Sequence, residues 1–327
     1  MRTRRRLPAA VVALAAAVSL VACGGQREPE GGAAGTDGGR LTIATGNTTG
    51  VYYQLGGAMA KVFSEKVEGY RATASETGAS VQNVQGLVAG NYDIAFSLGD
   101  TAADAVNGEH SFKTKQDVVA LTRLYPNYTQ VAVRASSGIN KIADLKGKRI
   151  STGSPNSGTE VIARRLLEAA GLDPARDVTA QRLGLPESVD GMKAGSIDAL
   201  IWSGGLPTGG ITDLMTSLGK GVKLIPITDM LPALNKTYGT IYAQGNIPAA
   251  TYKQPADVAT IIVPNVLLVR KNMSDDLAEK LTKAIYENKD ALIQVNAAAK
   301  GIKIEDAGNT APVELHPGAK KAIDALK

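Results

Sequence analysis

Two polar stretches with the chemistry of anion capture stand just ahead of helical patterns: "TGNTTGVYY", Thr45–Tyr53, and "SPNSGTEV", Ser154–Val161. Each sets small hydroxyl residues and a glycine at a helix start, with Thr48 and Thr49 in the first and Asn156, Ser157, Gly158 and Thr159 in the second. The first N–H groups of a helix have no partner within it, and they carry the positive end of its dipole, so both stretches favour a carboxylate. Thr49 and Ser157 also suit plain caps, and each alone reads that way; occurrence of the same device in two places favours a site. Asp100, in "SLGD" at a strand end, suits either an ammonium partner or the cap of a helix from Thr101. "IWSGGLPTGG" carries Trp202, the single tryptophan, into glycines that permit close approach of the backbone to a ligand. Arg123 is the nearest arginine able to grip a carboxylate, although a solvated or structural arginine is the reading its position favours.

Other chemistries fail on spacing. Gly153 and Gly158 are separated as in a phosphate loop, but Thr159 stands where that motif needs lysine, so no nucleotide cofactor is expected. Pro155 stands two residues before Ser157, which removes a nucleophile elbow. The two histidines, His110 and His316, are far apart, and the chain has one cysteine, so thiolate metal sites, disulfides and a Ser-His-Asp triad lack their parts. A secreted α/β hydrolase is therefore the least favoured class. Neither a metal nor any other cofactor is expected.

The elements that must position these groups alternate apolar β-branched runs with helical periodicity, the pattern of βα units around parallel sheets. "LTIAT" reads as a strand and "VYYQLGGAMAKVFSEKV" as a helix with Val51, Leu55, Met59 and Val62 on one face. Tyr52 lies beside that face and is expected to pack, whereas Tyr53, about 100° around the helix, is expected to face a ligand. "SVQNVQGLVAG" is a helix with Ser80 as its cap, and "VVALTRLY" and "QVAVRA" read as separate strands. The rhythm restarts at "GINKIADLKGKRISTG". A last long helix is expected in "SDDLAEKLTKAIYENKDALIQVNAAAK". The fold class is α/β, with two lobes, 41–127 plus 260–327 and 128–259, joined by a hinge around a ligand cleft. Such an architecture suits a solute-binding protein, which needs polar groups converging from both lobes and no catalytic residues.

The N-terminus, residues 1–22, has Arg2, Arg4, Arg5 and Arg6 ahead of "LPAAVVALAAAVSLVA", the pattern of an export signal. "LVACGG" resembles the bacterial lipobox, which implies lipidation of Cys23, followed by a glycine-rich flexible tether to residue 40. Four of the 36 Lys and Arg precede Cys23 and none of the 31 acids do, so the remainder carries +1. With the basic excess confined to the leader and no basic stripe elsewhere, nucleic acid is not an expected partner. The expected location is the extracytoplasmic face of the cell membrane, held by the lipid anchor.

The order and spacing of "TGNTTGVYYQLG", "TGASVQNVQGLVAGNYDIAF", "LYPN", "GINKIADLKGKRIS", "PNSGTE", "AGSIDALIWSGGLP" and "ELHPGA" resemble the TAXI family of solute receptors of TRAP transporters. The resemblance runs over almost all of the mature length. It implies a two-lobed, periplasmic-binding-protein-like fold of type II, working as a monomer. The implied ligand is a small carboxylate or amino acid such as glutamate or 2-oxoglutarate, and the implied partner is a TRAP membrane permease. An ABC-type binding lipoprotein is the alternative. Carried over by position, the ligand-facing residues are Thr49, Tyr53, Ser80, Asn83, Asp100, Ser157, Gly158, Thr159, Gly205 and Pro207. Leu98 and Gly99 depart from the polar residue the family often has before the aspartate. His316, in "LHPGA", is read as structural.

Overall fold

The computed structural model describes residues 39–327. The leader, Cys23 and most of the tether lie outside the described residues, although Arg40, assigned above to the tether, already opens the first strand. The first half of the fold runs β1 (Arg40–Ala44), α1 (Val51–Lys66), β2 (Arg71–Ser75), α2 (Ser80–Val88), β3 (Ile94–Leu98) and α3 (Gly99–Asn107). The long β4 (Val118–Arg134) leads into the second: β5 (Arg149–Ser151), α4 (Gly158–Ala169), β6 (Thr179–Gln181), α5 (Leu185–Ala194), β7 (Ala199–Gly204), α6 (Gly209–Leu218), β8 (Val222–Leu224), α7 (Leu231–Tyr238) and β9 (Ala243–Ile247). The chain returns along β10 (Val258–Arg270) and ends in α8 (Asp275–Glu287), α9 (Lys289–Val295) and α10 (Pro317–Leu326).

The strands form one mixed sheet in the order β2-β1-β3-β10-β4-β7-β5-β6, with β8 on β4 and β9 on β10. β1, β2 and β3 are parallel, as are β5, β6 and β7; β4 and β10 run antiparallel to each other through the middle. The two strands expected before and after "YPNYT" are in fact the single β4, in which Pro126 pairs with Pro264 of β10. Neither proline needs a free N–H there, because the ladder is irregular between Pro264 and Val266.

The buried side chains follow this division. Ile43, Leu55, Met59, Phe63, Phe96, Leu121, Leu281 and Ile285 pack between the first strands and helices α1 and α8. Val131, Ile150, Ile162, Leu166, Ile201 and Ile227 pack under α4. Tyr52 touches both clusters. The expected last helix is interrupted at Asn288, whose Nδ2 donates to the carbonyl of Ala284 at 2.9 Å and competes with helix continuation. His316 caps α10: its Nδ1 accepts from the N–H of Gly318 at 3.2 Å and its Nε2 bonds the Met273 carbonyl at 3.0 Å. No helix among the described residues is long and apolar enough to cross a membrane.

Candidate functional site

At the carboxyl ends of β1, β3 and β7 lies a cavity of about 420 Å³, including its mouth. Open α/β sheets tend to bind ligands at this edge, because the helices that follow the strands begin there. Three helix starts reach it. Gly50, Val51 and Tyr52 come from α1, Ala79 and Ser80 from α2, and Ser157, Gly158 and Thr159 from α4. The end of β7 supplies Trp202 to Gly205, and β4 supplies Tyr125 and Asn127.

The helix starts are built differently. In α4, Ser157 is the cap and its Oγ accepts from Glu160 N–H at 2.9 Å. In α1 and α2 the cap positions are Gly50 and Ala79, and neither first turn has a side-chain cap. Of their leading N–H groups, that of Gln82 in α2 is taken by the Asn156 carbonyl, and those of Val51, Tyr52, Ser80 and Val81 stay available at the cavity edge. Among the described residues, no arginine, lysine, histidine or carboxylate lines the cavity. The positive potential there comes from helix ends and hydroxyl groups, not from a side-chain cation.

A hydrogen-bonded chain of polar side chains forms one wall. Tyr52 Oη donates to Asn265 Oδ1 at 2.5 Å, and Asn265 Nδ2 donates to the Tyr125 carbonyl at 2.9 Å. Asn127 Nδ2 donates to Ser203 Oγ at 2.5 Å, and the N–H of Ser203 donates to Thr159 Oγ1 at 3.3 Å. Burial pushes the Tyr52 hydroxyl well above the ordinary tyrosine pKa, so it remains a donor at neutral pH.

Contacts from the two ends of the sheet close over the cavity. Asn47 Oδ1 accepts from Ser154 Oγ at 3.1 Å and from Leu185 N–H at 3.0 Å. The N–H of Gln82 donates to the Asn156 carbonyl at 3.0 Å. Gly158 lies so close to Leu98 and Ser80 that an added Cβ would sit 2.6 Å from Leu98 Cδ1 and 2.7 Å from Ser80 Oγ.

Of the ten ligand-facing residues expected above, Ser80, Ser157, Gly158, Thr159 and Gly205 line the cavity. The other five do not. Asn83 is fully buried beneath α2, where its Nδ2 donates to the carbonyls of Thr45 and Phe96, at 2.7 and 2.8 Å. It ties β1 to β3 and has no free group left for a ligand. Asp100 turns away into an ion cluster with Arg165 and Tyr242, while its Oδ1 accepts from Thr101 N–H at 2.7 Å. Thr49 packs toward the start of α6, and its carbonyl accepts from Gly210 N–H at 3.4 Å. Pro207 is exposed beyond the loop, and its carbonyl accepts from Asn296 Nδ2 at 3.4 Å. Ser80, expected as a cap, instead accepts from Leu98 N–H at 3.0 Å.

Of the tyrosine pair, Tyr52 packs as expected, but it also takes the cavity-lining place expected of Tyr53. Tyr53 is 36% exposed and does not line the cavity, whereas Tyr52 both packs on Phe96, with ring centroids 5.0 Å apart, and lines it. At the first turn of α1 the sheet-facing side projects to the sheet edge, so the packing face and the ligand face are the same face. Tyr53→Ala is expected to leave ligand affinity within about twofold, as is usual for an exposed substitution. Tyr52→Phe, which strands Asn265 Oδ1, is expected to cost about 1–3 kcal/mol of stability; thermal melts and calorimetry on the two variants check both.

Tyr125, which at the crossover between the lobes suits either hinge packing or cleft lining, lines the cavity; Asn127, Ser203 and Asn47 were missed because strand interiors read as packing and asparagines near turns carry no distinctive spacing. The pairing of β4 with β7 and β10, visible only in three dimensions, brings Tyr125, Asn127 and Ser203 together. As for metals, Asp104, Glu109 and His110 place ligand atoms within 4.8 Å of one another, but Asp104 is already held by both oxygens to Arg165 Nη2, at 2.8 and 2.6 Å.

A family model described as the NMT1-like family matches residues 43–323. Among solved structures, one from Bordetella bronchiseptica RB50 is similar with a TM-score of 0.55 and 21% identity, over 88% of this chain and 89% of that one. A binding protein component of an ABC phosphonate transporter from Pseudomonas aeruginosa is similar with a TM-score of 0.55 and 15% identity, over 82% of this chain and 81% of that one. At these identities the likeness establishes a shared fold, that of periplasmic binding proteins.

Proposed function

The chain belongs to the NMT1-like family, a family of periplasmic solute-binding proteins, and from that membership we propose that its cavity captures a small organic anion and that the loaded protein hands it to a membrane permease. Proteins of this family work outside the cytoplasm in solute transport. The observation that carries the anion reading is the convergence of three helix starts on one cavity without any side-chain charge. N–H groups and dipole ends stabilise a single negative charge, whereas a phosphonate dianion buried there would lack the cation it needs. A carboxylate is the reading we favour.

Among the described residues the cavity also lacks an acidic side chain, since Asp100 is committed to Arg165 and Tyr242. An amino acid would bring an ammonium group with no counter-charge, so an organic acid without an amine suits the site better than glutamate. Binding works by closure. Residues 41–127 plus 260–327 form one lobe and 128–259 the other, with β4 and β10 as the connections that bend. An anion touching α1, α2 and α4 stabilises the closed arrangement over the open one.

The delivery partner we favour is an ABC-type permease, supported by the phosphonate-transporter binding protein among the similar folds. A TRAP-type permease is the second reading, supported by the order and spacing of the motifs from "TGNTTGVYYQLG" to "ELHPGA". Attachment to the membrane through lipidated Cys23 goes with either. Thermal denaturation with mono- and dicarboxylates, amino acids, sulfonates and phosphonates tests the ligand. At a hundred times Kd, one carboxylate is expected to add about 2.7 kcal/mol of stability. Stabilisation by amino acids or phosphonates alone would overturn the carboxylate reading.

A further inference from the structure

We propose that the Tyr125 hydroxyl selects the ligand by donating a hydrogen bond to an uncharged oxygen that the anion carries apart from its charged group. The inference rests on the anion reading above and adds a second requirement to it. Tyr125 is only 1% exposed, and it is one of the residues that line the cavity. Its hydroxyl is the one buried polar side-chain atom among the cavity-lining residues that finds no partner among the described residues. The neighbouring groups are already engaged. Tyr52 Oη serves Asn265, Asn127 Nδ2 serves Ser203, and Asn47 Oδ1 serves Ser154 and Leu185. A buried hydroxyl without a partner is costly, and in a binding site the missing partner is supplied by the ligand.

The ring cannot swing away to find another acceptor. A Cβ on Gly205 would sit 2.7 Å from Tyr125 Cε2, and one on Gly301 would sit 3.1 Å from Tyr125 Cβ, so backbone presses on the residue from two sides. Burial holds the phenol well above its ordinary pKa, with the Tyr52 hydroxyl adding to the effect, so it offers a proton at neutral pH. A fixed donor of this kind discriminates by its unmet bond: an acid without the matching oxygen leaves it stranded. Helix starts hold the charge, and Tyr125 reads the rest of the molecule. The ligand class is thus a hydroxy- or oxo-substituted organic anion.

Matched pairs that differ by one oxygen test this: glutarate against 2-hydroxyglutarate, and ethanesulfonate against 2-hydroxyethanesulfonate, titrated by calorimetry into the protein and into Tyr125→Phe. In at least one pair the oxygen-bearing member is expected to bind about tenfold more tightly, the equivalent of one hydrogen bond. Tyr125→Phe should erase most of that preference and leave the plain acid within about twofold. Because the change removes an unsatisfied group and keeps the ring, the unliganded melting temperature should hold or rise. A preference that survives in Tyr125→Phe, or none in the unsubstituted protein, overturns the inference while the anion reading stands. Binding of none of the four anions overturns the inference together with the anion reading.

Discussion

Gly158→Ala is expected to lower anion affinity by about 10- to 100-fold while leaving the unliganded protein folded. Gly158 is the first residue of α4, and alanine there is locally favourable, since glycine costs a helix up to about 1 kcal/mol. The added methyl meets the other half of the molecule, at 2.6 Å from Leu98 Cδ1 and 2.7 Å from Ser80 Oγ. Real Cβ contacts do not approach so closely, so either the halves stay apart or the side chains of Leu98 and Ser80 move into the cavity. Overpacking of this kind costs about 1–3 kcal/mol, and under the closure proposed above it falls on the closed state alone. Calorimetry with the best acid, alongside urea denaturation without it, separates the two effects. Unchanged affinity would remove the α4 start from the site.

The second large effect concerns stability. Arg165 is 2% exposed on α4 and reaches into a cluster drawn from three other segments. Its Nη2 is 2.6 Å from Asp104 Oδ2, its Nη1 donates to Tyr242 Oη at 2.9 Å and lies 3.5 Å from Asp100 Oδ2, and its guanidinium carbon stands 4.1 Å over the Tyr238 ring. Burial opposes its charge, but Tyr242, Asp100 and Asp104 outweigh that and raise its pKa further above the ordinary value. Arg165→Met is expected to cost about 3–5 kcal/mol, because it leaves two buried carboxylates with no cation.

The pH dependence has a definite sign. Burial already lifts the Asp104 pKa above its ordinary value despite the attraction of Arg165, and loss of that attraction must lift it further. An acid whose folded pKa exceeds its unfolded one binds more protons when folded, so the variant should regain part of its stability as pH falls through that raised value. Urea denaturation from pH 7 to pH 5 measures this. A deficit that stays constant over the range would count against Asp104 as the stranded group.

Much of the fold was legible because it is written in local patterns. The period-2 and period-3.6 runs place β1 and α1 close to their observed bounds, and Ser157 caps α4 as its position before Gly158 suggests. Errors arose where a local rule met a long-range partner. Ser80 resembles a cap, but Leu98 N–H, eighteen residues on, claims its oxygen. Asp100 resembles a ligand-facing acid at a strand end, but Arg165, sixty-five residues away, claims its carboxylate. Pro126 resembles a break, yet β4 passes through it because the ladder opposite is irregular.

By itself, then, the sequence determined the kind of device: hydroxyl-rich helix starts in an α/β frame, with charge near neutral from residue 23 onward. Helix ends generate their potential from backbone geometry, which a few residues specify. Only the tertiary structure decided which polar groups face the cavity. Tyr52 displaced Tyr53 because packing and ligand faces coincide at the sheet edge, Asp100 withdrew because a buried arginine needs it, and the Tyr125 hydroxyl was left without a partner among the described residues. Satisfaction of a buried polar group depends on neighbours brought from anywhere in the chain, and no spacing rule encodes that.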